Sequence, residues 1–228
     1  MIGIIGAMQV EIEGLVKKVK GRKEFRVGEL LFVKGTIADK GVVICRCGIG
    51  KVNSAMAASV MICFFKDVSL VINLGVAGGL DEALKQGDFV VGSNSIQHDF
   101  DLTVEGLKMG QLSGRNERAF LSCEAAVSRM AAVLDTLGYS YKLGTIVSGD
   151  QFIACNKRTA WLSSEFSALA CDMESAAIAH VCSVLQVPFL AVRAISDGAS
   201  DGAFMDFSQF VEIAAARSIL AVEGFLDS

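Results

Sequence analysis

Apolar residues along the chain gather in short runs at 2–5, 30–33, 42–45, 69–72, 89–91, 144–147 and 189–192. Several runs are β-branched and apolar throughout. A strand wet on one face alternates polar and apolar residues, and a strand covered on both faces does not. These runs therefore predict strands buried in a central sheet. Between them the period becomes helical. Val10, Ile12, Leu15, Val16 and Val19 fall on one face, with Glu13, Lys17 and Lys20 opposite. Residues 53–65 are almost wholly apolar and predict a buried helix. Residues 117–137 predict a long helix of mixed polarity, and 174–185 another, stopped soon after by Pro188. Residues 208–225 close the chain with apolar positions at Phe210, Val211, Ala214, Ala215, Ile219 and Val222. The alternation predicts an α/β fold, a single domain over 1–228 with a central, mainly mixed β-sheet flanked by helices. There is no internal repeat or low-complexity tract, and one proline in 228 residues argues against disordered linkers.

Composition narrows the classes. The chain is 52% hydrophobic and 20% charged, and at this length it buries about 70–75% of its unfolded surface. A net charge of -4 with no basic stripe removes nucleic acid as a partner. The seven cysteines, at 45, 47, 63, 123, 155, 171 and 182, lie mostly in apolar runs. Only Cys45-x-Cys47 is close, and its spacing suits neither zinc nor redox chemistry, so buried free thiols in a reducing compartment are expected. His98 and His180 are too few and too far apart for a metal site, so no metal is expected. The apolar start, Met1 to Met8, is short, lacks a basic segment, and is followed by Glu11 and Glu13, unlike a signal peptide. Residues 55–65 are too short to span a bilayer. The expectation is a cytoplasmic protein with no membrane partner.

Three constellations can carry chemistry. Gly48-Ile-Gly50-Lys51-Val-Asn53 follows a strand and opens a helix. It fits neither a Walker loop nor a dinucleotide fingerprint. It is either a tight turn or one wall of a small-molecule pocket. Asn73-Leu-Gly75-Val-Ala77-Gly78-Gly79 follows another buried strand, where small residues let backbone approach a ligand. The third is acidic: Glu11 after the first strand, Asp172-Met173-Glu174 after 168–171, and Ser196-Asp197 after 189–195. One acid at a helix start is an ordinary complement to the helix dipole. Three acids at the ends of three apolar strands would instead meet on one rim.

Longer blocks carry a resemblance. Ile4-Ile-Gly-Ala-Met8 with Glu11, Gly48-Ile-Gly-Lys-Val52, Gly78-Gly79-Leu80, His98-Asp99, Ser148-Gly-Asp150 with Phe152-Ile153, Met173-Glu174-Ser-Ala-Ala-Ile-Ala-His180-Val-Cys182 and Val192-Arg-Ala-Ile-Ser-Asp197 occur in this order. From Ile2 to about Glu223 the chain resembles the 5'-methylthioadenosine/S-adenosylhomocysteine nucleosidases. The Met-Glu and Ser-Asp motifs alone would indicate only the wider nucleoside phosphorylase superfamily. The resemblance implies a nucleoside phosphorylase-like fold, a small-molecule adenine nucleoside as substrate, no cofactor and a homodimer.

Breaking a ribosyl C1'–N9 bond requires neutralising the departing purine, stabilising an oxocarbenium-like sugar, and delivering a nucleophile to the opposite face. The resemblance makes Asp197 the acid that protonates purine N7, supported by Ser196, provided that burial raises its pKa. Glu11 would deprotonate the attacking water, and Glu174 would hold the ribose hydroxyls. Arg193 is either a structural partner of the buried acids or a direct aid to the water or to Glu174. Phe152 would stack on adenine and the Ile153 backbone would read its edge. Met173 and Phe207 would pack on the ribose and 5' group, and Ile49, Ala77 and Gly78 would complete the pocket. Each of these apolar residues has plain core packing as its alternative role. Leu102 and Leu107 would reach the 5' group of a partner subunit.

Water is expected in preference to phosphate. No Lys or Arg occurs between Met1 and Val16 or between Ile72 and Leu84. Phosphate needs cations or a dense nest of N–H donors, and Glu11 would repel a dianion. Three departures from the family pattern stand out: Asp172 where Glu is usual, Val76 where a hydroxyl residue is common, and a 102–114 segment with Glu105, Leu107 and Ser113 in place of aromatic and proline residues. The last keeps a futalosine-type nucleosidase, with a larger polar 5' group, as the alternative.

Overall fold

The computed structural model describes residues 1–200 and 202–228. The described residues form ten strands and six α-helices. The strands are β1 (Ile2–Gly6), β2 (Lys20–Val27), β3 (Leu30–Ile37), β4 (Lys40–Arg46), β5 (Leu70–Gly79), β6 (Phe89–Gln97), β7 (Phe120–Leu121), β8 (Tyr141–Ser148), β9 (Ala168–Asp172) and β10 (Phe189–Asp197). The helices are α1 (Gln9–Lys18), α2 (Lys51–Phe64), α3 (Glu124–Leu137), α4 (Asn156–Phe166), α5 (Ser175–Val184) and α6 (Ala203–Asp227).

All ten strands belong to one mixed sheet, ordered β10-β6-β8-β9-β5-β1-β4-β3-β2, with β7 paired to β6. β10 also pairs with β5, so β5, β10, β6, β8 and β9 close into a ring and the other strands extend from β5. Each side of the sheet has its own core, as the two-residue period of a strand requires. Ile4 points into one core with Ile12, Met130 and Phe225, beneath α1, α3 and α6. Its neighbour Ile5 points into the other with Ala57, Met61 and Ile178, beneath α2 and α5.

Several expectations change. The 73–79 segment is strand and not loop, because β5 continues to pair with β10 through Gly78 and with β9 at Gly78 and Gly79. The helix expected from 117 begins at Glu124, since Phe120 and Leu121 pair with Ser95 and Asn94 of β6. β2 and α4 carried no apolar signal. β2 reads Lys-Gly-Arg-Lys-Glu-Phe-Arg-Val, an edge strand paired only to β3. The 53–65 helix is half covered: Val52 is 77% and Met56 47% exposed, one turn apart on α2. All seven cysteines are free thiols, but Cys63 and Cys155 are exposed.

Candidate active site

A cavity of about 410 Å³ opens at the C-terminal ends of β1, β5, β8, β9 and β10, where open α/β sheets bind ligands. Its lining includes Glu11, Ile49, Ala77, Gly78, Phe152, Ile153, Met173, Glu174, Ser196, Asp197 and Phe207. Sequence separations of more than 180 residues collapse here because β1, β5 and β10 lie side by side in parallel.

Glu11 sits in the first turn of α1, three residues after the capping position Met8. A carboxylate there reaches back over the helix start. Its Oε2 accepts the Ala7 and Met8 N–H groups at 2.8 Å each, and Oε1 accepts Val76 N–H at 3.1 Å. The close approach to β5 depends on Gly75, where a Cβ would stand 2.9 Å from Glu11 Cδ. Burial raises the Glu11 pKa, against the pull of Arg193 and of the three backbone donors.

Glu174 precedes α5. Its Oε1 accepts Gly50 N–H at 2.9 Å. Gly50 has φ of 102°, a left-handed conformation that glycine adopts without strain. Burial, then the neighbouring Asp172, pushes the Glu174 carboxyl up to about 7 against Arg193 and the Gly50 N–H. The Gly50 turn is in turn latched to the 149–153 loop, since Lys51 N–H donates to Asp150 Oδ1 at 2.8 Å. Lys51 Nζ also pairs with Asp99 at 2.6 Å.

Asp197 ends β10 just after a break in register between Ile195 and Asp197. Such an irregularity re-aims a side chain. Its Oδ1 accepts Ala199 N–H and its Oδ2 accepts Ser196 Oγ–H, both at 2.8 Å. Burial raises its pKa in spite of those donors, with a smaller push from Asp206. Glu11 and Asp197 are thus held by separate sets of donors, two distinct carboxyl environments in one cavity.

Phe152 is 46% exposed and meets Phe204 and Phe207 edge-on, with centroids 6.2 and 5.7 Å away. One residue expected in this cavity is elsewhere, and the two expected in a partner's pocket are not in this one. Arg193 is buried behind the cavity wall, donating through Nε to Asp172 at 2.7 Å and through Nη2 to Asn73 Oδ1. Leu102 and Leu107 do not line this protomer's cavity. Sequence reasoning overlooked Ala7, Gln151, Cys171 and Phe204, which line it too. The first had a signal: a carboxylate at the third helical position implies N–H donors at its start. No Lys or Arg among the described residues lines the cavity. Among the described residues no cluster of His, Cys, Asp and Glu could hold a metal ion. No described helix is long and apolar enough to cross a membrane.

The phosphorylase superfamily matches residues 1–227. The chain is similar to the 5'-methylthioadenosine/S-adenosylhomocysteine nucleosidase of Actinobacillus succinogenes, 40% identical over 226 residues, covering 99% of this chain and 97% of the relative. Among solved structures it is similar to the nucleosidase of the same name from Neisseria meningitidis in complex with methylthio-immucillin-A. That pair has a TM-score of 0.96 and 36% identity, covering 99% of this chain and 98% of the other. It is also similar to the futalosine hydrolase of Helicobacter pylori strain 26695, with a TM-score of 0.94 and 34% identity, covering 99% and 97%.

Proposed function

Because this chain belongs to the 5'-methylthioadenosine/S-adenosylhomocysteine nucleosidase family, within the phosphorylase superfamily, we infer that it hydrolyses the C1'–N9 bond of 5'-methylthioadenosine and S-adenosylhomocysteine. The products are adenine and the corresponding ribose. The observation that carries this reading is that Glu11 and Asp197 line one cavity while held by separate sets of hydrogen-bond donors. Two acid groups with different surroundings can hold different protonation states and divide acid and base roles.

Asp197 is the acid. Burial raises its pKa, which favours the protonated form, and the proton passes to adenine N7 as the C1'–N9 electron pair moves onto the purine. Glu11 is the base. The water oxygen bonds to C1' while its proton passes to the Glu11 carboxylate. Glu174, in its ionised form, accepts the ribose hydroxyls and offsets the growing positive charge on the sugar. Phe152 stacks on adenine, and the Ile153 backbone reads its edge. Met173, Phe207 and Ile49 enclose the sugar and 5' group, and Ala77 and Gly78 let backbone approach the nucleoside. Arg193 acts from behind this surface, on Glu11 and Glu174.

The cation-free lining supports water as the nucleophile. Arg193, buried behind that lining, is already paired with Asp172. The deciding experiment measures adenine release in phosphate-free buffer containing a chelator, over methylthioadenosine, S-adenosylhomocysteine and aminofutalosine. Full turnover of the first two is expected. A strict phosphate requirement, with a ribose-1-phosphate product, would refute hydrolysis. A large preference for aminofutalosine would move the substrate to the class named for the Helicobacter pylori relative.

The same reading makes the protein a cytoplasmic homodimer of one-domain subunits. Val52 and Met56 leave an apolar face of α2 exposed, and α2 packs on α5, where Val184 is 64% exposed. Isologous pairing of such faces is the commonest oligomer. In this reading Leu102 and Leu107 belong to the partner's 5' pocket.

A further inference from the structure

Asp172 ends β9 at the cavity floor, and no step above uses it. Five donors converge on its carboxylate. Ser148 Oγ donates at 2.5 Å, Arg193 Nε at 2.7 Å, and Glu174 N–H and Ser175 N–H at 3.2 Å each, together with Ser175 Oγ. The parallel register of β8 and β9 sets Ser148 directly opposite. The other side of the guanidinium is tied as well, since Arg193 Nη2 donates to Asn73 and lies 4.0 Å from Glu174. Asn73 is itself anchored through Nδ2 on Ile5 O at 2.9 Å. Arg193 Nη1 is buried and has no hydrogen-bond partner among the described residues. With Glu11 it flanks the bare side of Gly75, where a Cβ would stand 3.1 Å from it. A planar guanidinium pinned at Nε and Nη2 cannot turn to satisfy its third nitrogen elsewhere.

We propose that Asp172 is a positioning residue that acts through Arg193, locking its guanidinium with Nη1 on the bare side of Gly75 that Glu11 also faces. This rests on the reading in which Glu11 activates the water and Glu174 holds the ribose. Asp172 acts through Arg193; Gly149 N–H of the adenine-reading loop is held by its backbone carbonyl at 3.2 Å and not by its carboxylate, so loss of the carboxylate affects turnover more than substrate binding.

The test is a double-mutant cycle on the native chain with Asp172→Asn, Arg193→Gln and their combination. Asp172→Asn should lower kcat about 10²-fold, the scale of a small misplacement of catalytic groups, with KM within about threefold and Asp172→Glu restoring most of the loss. If Asp172 works through Arg193, the double variant stays within about threefold of the worse single variant, whereas independent losses multiply. Multiplied losses, or a native kcat for Asp172→Asn, overturn the proposal. Should Asp172→Asn alone not fold, the neutral double variant against Arg193→Gln carries the test, and a further loss of about tenfold or more overturns it. Glu11→Gln in parallel separates the two levels. A native kcat there sinks the water-activation reading, while an impaired Glu11→Gln beside a multiplicative cycle sinks only the role of Asp172.

Discussion

Gly75→Ala tests the base assignment without replacing a charged group. The new methyl would stand 2.9 Å from Glu11 Cδ and 3.1 Å from Arg193 Nη1, and nearer still to Glu11 Oε1. Ordinary contacts between such atoms need roughly 3.5–4.0 Å, so the carboxylate must retreat by about 1 Å. β5 cannot yield instead, because Gly75 is paired with Arg193 on β10. The retreat breaks the 3.1 Å bond from Val76 N–H. An unpaired buried N–H costs about 1–3 kcal/mol, and for a chain of this size each kcal/mol lowers Tm by about 2–4 °C. A 1 Å displacement of a catalytic group costs about 10²-fold in rate. The expected result is folded protein, with a Tm a few degrees lower and kcat for adenine release down about two orders of magnitude. In the Glu11→Gln background the same change should add little. Native turnover in Gly75→Ala, or an equal loss when Glu11 is already disabled, would refute the reasoning.

Asp197→Asn should lower kcat by about 10²–10⁴-fold, because an amide cannot supply the carboxylic proton, while calorimetry still detects binding of a non-reactive adenine nucleoside. Near-native turnover would remove Asp197 from the mechanism. Glu174 gives a pH dependence of stability. Its carboxyl is raised from 4.5 to about 7, so the folded protein holds a proton that the unfolded chain releases. That contribution is complete below the unfolded value and is lost as pH rises through about 7. The Tm of the native protein minus that of Glu174→Gln should fall between about pH 5 and pH 8, and a difference that stays constant would contradict the shift. Sedimentation at micromolar concentration should give a dimer, and a fully active monomer would rule out a shared 5' pocket.

The sequence alone determined the elements that bury apolar surface and the residues whose chemistry matters. Runs such as 42–45 and 189–192 announce strands because nothing polar interrupts them, and Glu11, Glu174 and Asp197 stand out as acids at the ends of such strands. Local periodicity carries that much because it reports burial. It does not report β2 or α4, where burial is slight and the signal weak. Nor does it tell which strand lies beside which. The parallel contacts of β5 with β1 and β10 decide that Val76 N–H meets Glu11 and that Gly78 lies against Asp197. Strand register likewise sets Ser148 opposite Asp172 and turns Arg193 away from the cavity. Pairing of residues about a hundred positions apart is fixed by the closure of the whole sheet, and only the tertiary structure holds it.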